Sequence, residues 1–218
     1  MSGTGEQPEP VVPGVDAARL VAVLTAVTHA LEAERDHLTE LDAAVGDGDL
    51  GASVATAARA VRESLREHPD DIGRILSRAA AAVSDAAGAT IGALLSIGLL
   101  RAARVANGQT VVGLAEIAAM MRAAEDGIRE KGKADVGDKT LLDALVPARE
   151  ALDAAVLDGL TGVEAAARAA DAALRGATAT AGMTPRFGRA RWLPERAAGH
   201  RDPGAILVYL LVKSVAGR

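Results

Sequence analysis

Apolar residues recur along this chain at helical spacing. Leu20, Leu24, Val27 and Leu31 fall at i, i+4, i+7 and i+11, one face of a helix. Val54, Ala58, Val61 and Leu65 repeat the stripe, as do Ile72, Leu76, Ala79 and Val83. Further stripes run through Leu114, Ile117, Met121, Ala124 and Ile128, then Leu141, Leu145, Ala148 and Leu152, then Val163, Ala167, Ala170 and Leu174. Residues 90–106 are apolar nearly all round, the pattern of a central helix, and a last apolar segment covers 205–214. The pattern predicts an all-α fold of about eight amphipathic helices, with no strand-like alternation.

Composition supports this. Of 218 residues, 50% are apolar but only 1% aromatic, so the core must be built from Ala, Leu, Val and Ile. Small side chains favour closely approached helices over sheets. The length suits a single domain, placed at residues 16–218 after a flexible lead-in at 1–15 rich in proline (Pro8, Pro10, Pro13). The net charge of −5, from 24 basic and 29 acidic residues, argues against nucleic acid or anionic lipid as a partner. Cysteine is absent, which excludes disulfides and thiolate chemistry. No secretory signal is legible, and the apolar runs are too short to span a bilayer, so a cytoplasmic location without membrane attachment is expected.

The sharpest candidate chemistry is Asp42-Ala-Ala-Val-Gly-Asp47-Gly-Asp49-Leu-Gly51, between the first two predicted helices. Three carboxylates within eight residues, with glycines that free the backbone, suit a hard divalent cation. The bland alternative is an acidic turn capping the helix that follows. An EF-hand fits poorly: Gly51 stands where an oxygen ligand is usual and no glutamate closes the loop. Gly88–Gly92 opens an apolar helix and offers free N–H groups to a phosphate, although no Walker lysine follows. Thr140 or Asp138 is placed to cap the sixth helix, and Pro203 to open the last. The irregular stretch 182–204 holds three prolines and five arginines and reads as a functional lid. Arg189 within it could clamp phosphate oxygens.

In order, four blocks resemble one family. They are Leu38-Thr-Glu-Leu-Asp42 with Gly46-Asp-Gly-Asp49, the turn at Gly88, Lys131-Gly-Lys-Ala134 with Gly137-Asp-Lys-Thr140 and Asp143, and Gly188-Arg-Ala190 with Glu195-Arg196 and Gly199-His200 through Asp202-Pro-Gly-Ala205. The blocks are similar to the ADP-binding L subunit of the dihydroxyacetone kinase family. The resemblance implies an antiparallel barrel of eight amphipathic helices with the nucleotide at one end. It implies that Asp42, Asp47 and Asp49 hold two Mg²⁺ ions bridging the phosphates of ADP or ATP. Three carboxylates and ADP total about −6, which two such ions bring to about −2. Nucleotide contacts then fall on Leu50, Gly51, Ala52, Ser53, Thr90, Ile91, Gly132, Leu141, Arg189, Asp202, Pro203 and Gly204, with Leu141 as an apolar wall for adenine.

No catalytic nucleophile is implied in this chain. The resemblance implies a separate K subunit that holds dihydroxyacetone covalently, a possible phosphotransferase-system M subunit, and a possible homodimer. Two other readings are a nucleotide-loaded regulatory binding protein and a kinase half for a different small carbonyl compound. Departures from the family pattern are Leu50, a histidine in many phosphotransferase-linked members; Ala89 and Ile91, in place of glycine and serine; and Ile206, where a hydroxyl is common.

Overall fold

A computed structural model describes residues 14–87, 89–192 and 194–217. Most of the predicted lead-in and Gly88 of the glycine turn lie outside the described residues. Ten α-helices are present among the described residues: α1 (Ala17–Ala33), α2 (Arg35–Val45), α3 (Leu50–Ser64), α4 (Ile72–Ala86), α5 (Ala89–Val105), α6 (Leu114–Gly132), α7 (Leu142–Leu157), α8 (Gly162–Ala179), α9 (Pro194–Ala197) and α10 (Pro203–Ala216). Eight of them close a ring in the order α1, α3, α4, α5, α6, α7, α8, α10 and back to α1. This is the all-α barrel expected. No described helix is long and apolar enough to cross a membrane.

Side-chain caps set several helix starts. Asp16 accepts from the Arg19 amide, Asp71 from Arg74 and Asp202 from Ala205, each at 2.7–2.8 Å. Thr161 and Glu164 form a reciprocal capping box at α8. The principal core joins Leu38, Leu50, Val54, Leu142, Ala173, Ile206 and Leu207, drawn from α2, α3, α7, α8 and α10. The departure at Ile206, on the first turn of α10, is buried in this core, 1% exposed.

Four features differ from the sequence reading. A polar helix, α2, occupies residues to which the apolar pattern assigns no helix. Of its 11 residues only Leu38 and Val45 are buried, too sparse a stripe to detect. Asp42 is therefore on a helix, while Asp47 and Asp49 follow it. In α8 the buried face is Ala165, Ala169, Ala170, Ala172, Ala173 and Ala177; of the predicted stripe Ala170 is buried, whereas Val163 is 62% exposed. Large apolar residues mislead here because the alanines do the packing.

The reason lies opposite, in α7. Pro147 has no N–H to offer the carbonyl of Asp143, four residues earlier. Gly176 packs against that carbonyl so closely that a Cβ there would overlap it. Third, α5 is one stave of the barrel and not an enclosed helix: Ile91, Leu94, Leu95, Ile97 and Leu99 are only partly buried. Fourth, Val15, assigned to the lead-in, pairs with Val112 in a two-residue antiparallel ribbon.

Candidate functional site

Successive helices alternate in direction, so one end of the barrel gathers the starts of α3, α5, α7 and α10 with the ends of α2 and α6. A cleft of about 540 Å³ opens there. Asp49 and Leu50, Thr90 and Ile91, Leu141 and Leu142, and Asp202, Pro203 and Gly204 all line it, one group from each helix start. Asp42, Thr140 and Asp202 accept from amides at the starts of α3, α7 and α10, and the positive dipole ends of the four helices favour an anion at this position. Leu94, Ile128 and Ala134 supply apolar wall, and the stretch 187–192 forms the remaining side.

The three predicted carboxylates come together at the rim. Asp42, on the last turn of α2, and Asp47 and Asp49 each offer an oxygen, all within 4.8 Å of one another. Gly48, at φ +77°, makes the turn that brings the latter two back towards Asp42. The Leu50 amide donates to Asp42 Oδ2 at 3.2 Å, so Asp42 does the capping at α3 and Asp49, at the capping position, makes no side-chain cap bond. Asp47 and Asp49 are exposed, and the described cation against them is Arg189. Its Nη1 contacts Asp47 Oδ2 and lies 3.4 Å from Asp49 Oδ2. Three convergent oxygens with so few hydrogen-bond donors fit a hard divalent cation.

Of the predicted nucleotide contacts, Leu50, Thr90, Ile91, Gly132, Leu141, Arg189, Asp202, Pro203 and Gly204 line the cleft. Gly51, Ala52 and Ser53 do not. Gly51 is buried against α2, where a Cβ would overlap the Arg35 carbonyl and the Thr39 hydroxyl, and Ala52 faces solvent. Neither predicted cap holds the capping position of α7, which is Leu141: Thr140, one residue earlier, accepts from the Leu142 amide at 3.3 Å, and Asp138 closes its own loop through the Asp135 amide.

Several site residues carried no separate signal in the sequence. Asp143, 2% exposed, accepts from the amides of Gly137 and Thr140 at 2.6 and 2.7 Å and folds the preceding loop. Thr180, fully buried, accepts from the Asp202 amide at 2.8 Å. Lys139, 3% exposed, donates to the carbonyls of Met183, Ala197 and His200. Arg196 donates to the carbonyls of Ala43 and Ala44 at the end of α2. Burial raises the Asp202 carboxyl to about 7, and the charge of Asp143 adds to this; the Ala205 amide and the Lys139 ammonium pull it back down. Burial likewise holds the Lys139 ammonium below its ordinary value, against the pull of Asp202.

Fold and site define a class: an all-α domain with a cleft ringed by helix starts and rimmed by three convergent carboxylates. Comparison with known proteins places it within that class. The DAK2 domain family matches residues 44–217. The ADP-binding subunit of the PEP-dependent dihydroxyacetone kinase of Escherichia coli is 34% identical, with 91% of this chain aligned to 95% of that subunit. The L-erythrulose kinase of Pectobacterium atrosepticum is 37% identical over 94% of this chain but only 36% of its own, longer chain. A crystal structure of the dihydroxyacetone kinase from C. freundii in complex with AMP-PNP and Mg²⁺ superposes with a TM-score of 0.70 at 27% identity, covering all of this chain and 37% of that one. The chain belongs to the DAK2-domain family of kinases.

Proposed function

We propose that this chain is the nucleotide-binding subunit of a dihydroxyacetone-type kinase. It presents a Mg²⁺-bound adenine nucleotide to a small ketose carried on a separate K subunit. The observation that carries this reading is the convergence of Asp42, Asp47 and Asp49 at the rim of a cleft that four helix N-termini enclose. The three aspartates would hold two Mg²⁺ ions. When bound, the ions supply positive charge against the phosphates.

The chain's own residues do the rest. Arg189 turns its guanidinium from the carboxylates to phosphate oxygens, a fork that matches their geometry. The start of α5 points its positive dipole end at the cleft before negative charge arrives, whereas the Gly204 and Ala205 amides of α10 are taken by Asp202. Leu141, Leu94 and Ile128 exclude water from the base and so orient it. Transfer then proceeds by positioning and charge neutralisation. The erythrulose kinase relative favours a small ketose as the acceptor class, with dihydroxyacetone and erythrulose both to be tried.

Calorimetry with ADP, with and without Mg²⁺, tests the reading. Asp49→Ala is expected to abolish Mg²⁺-dependent binding with helicity intact by circular dichroism. Unaltered ADP affinity in that variant removes the carboxylate rim from the site. Phosphoryl transfer to dihydroxyacetone in the presence of candidate K subunits then tests the role in catalysis.

A further inference from the structure

The stretch from Met183 to Asp202 places Arg189 at the carboxylate rim, yet among its described residues the regular structure amounts to one short turn at Arg189–Trp192 and the four residues of α9. Its position is set by bonds to the two walls of the cleft. At one wall Lys139 sits in the left-handed backbone region, φ +58°, where a side chain other than glycine is rarely found. That backbone aims its ammonium inward, where the three N–H groups meet three carbonyls: Ala197 and His200 at 2.8 Å and Met183 at 3.3 Å. Beside it the Arg186 amide donates to the Asp138 carbonyl at 3.1 Å. At the other wall Arg196 caps the end of α2, donating to the Ala43 carbonyl at 2.6 Å and to Ala44 at 3.1 Å. Arg189 lies between these two anchors.

Lys139 lines the cleft, and a lysine facing a phosphate site invites the reading that it grips phosphate. Its geometry says otherwise. All three donors are taken by backbone carbonyls, so contact with a ligand would strand buried acceptors. We propose that Lys139 and Arg196 are positioning residues for nucleotide binding: they clamp the 183–202 stretch between the 133–141 loop and the end of α2, and so fix where Arg189 meets the phosphates. The proposal rests on the nucleotide-binding reading above.

A double-mutant cycle tests it. Lys139→Met and Arg196→Met each weaken Mg–ADP binding by calorimetry about tenfold, the scale of lost charge-assisted bonds. Combined with Arg189→Ala, each is expected to add less than about twofold, because its effect passes through Arg189. Lys139→Arg restores part of the loss, since a guanidinium can still donate to the carbonyls. A merely space-filling role would be met as well by methionine. Trypsin supplies a readout independent of nucleotide: cleavage at Arg186, Arg189, Arg191 and Arg201 accelerates in both methionine variants while the helical body resists. Full, additive losses in the double variants overturn the proposal, as do unaltered affinities in the single ones. Should Lys139→Met fail to fold, Arg196→Met, with an exposed side chain, runs the cycle alone. If the wild-type chain binds no Mg–ADP, the nucleotide reading falls, and unchanged trypsin cleavage then overturns the clamp as well.

Discussion

Replacing Arg189 with alanine is expected to move two affinities in opposite directions. In the free chain its guanidinium occupies the place among the carboxylates that a cation would take, against Asp47 and 3.4 Å from Asp49. A divalent ion binding alone must displace it. The three side chains are 58%, 45% and 49% exposed, so solvent screens both pairs. Each is worth about 0.2–1 kcal/mol and the two together about 0.5–2 kcal/mol. Arg189→Ala should therefore tighten Mn²⁺ binding, read by paramagnetic resonance without nucleotide, by about twofold to thirtyfold. The same variant loses charge-assisted bonds to phosphate worth about 1.5–3 kcal/mol. Its Mg–ADP affinity should fall by about tenfold to a hundredfold. Loss of fold cannot tighten a binding site, so the sign is diagnostic. Equal or weaker Mn²⁺ binding in the variant refutes the view that Arg189 stands in for the cation.

Three further outcomes follow from packing and charge. Asp202 is an acid whose folded value, about 7, lies above its unfolded value of about 3.9, so its protonation stabilises the fold most fully below about pH 4. That contribution is lost as pH rises towards 7; Asp202→Asn, which keeps a capping oxygen, should flatten the fall in melting temperature across pH 4–7, and an unchanged slope refutes the assignment. Gly176→Ala forces a Cβ into the Asp143 carbonyl and should cost about 1–3 kcal/mol in urea unfolding, where a neutral result would mean that α7 and α8 can separate freely. Glu125, 5% exposed, accepts from Arg129 at 3.1 Å and from Arg149 at 2.8 Å across α6 and α7. Glu125→Ala leaves Arg149 with Asp153 at 2.9 Å and Glu150 at 3.3 Å and should cost about 1.5 kcal/mol, one charge-assisted bond, by the same assay; no measurable cost would mark the pair as solvated.

The helical class, the approximate number of staves and the acidic triad are legible along the chain, because each is written at short range. A helix repeats every 3.6 residues and advertises its buried face locally. Asp42, Asp47 and Asp49 lie within eight residues of one another, so their convergence needs one helix end and one glycine turn. Where a stripe was carried by alanine, as in α8, or by two buried residues, as in α2, the same rule misread phase or missed the helix. Contrast between large apolar and polar side chains is the whole of that signal. What faces the triad is settled at long range, by how the helices pack. Arg189 and Asp49 are 140 positions apart, and Lys139 and His200 are 61 apart. No local periodicity encodes such pairs. Closure of the ring brings them together, because burying the apolar stripes of alternating helices also stacks their N-termini at one end. The acceptors of Lys139 and Arg196 are backbone carbonyls, which every residue carries, so no choice of side chain could have announced them.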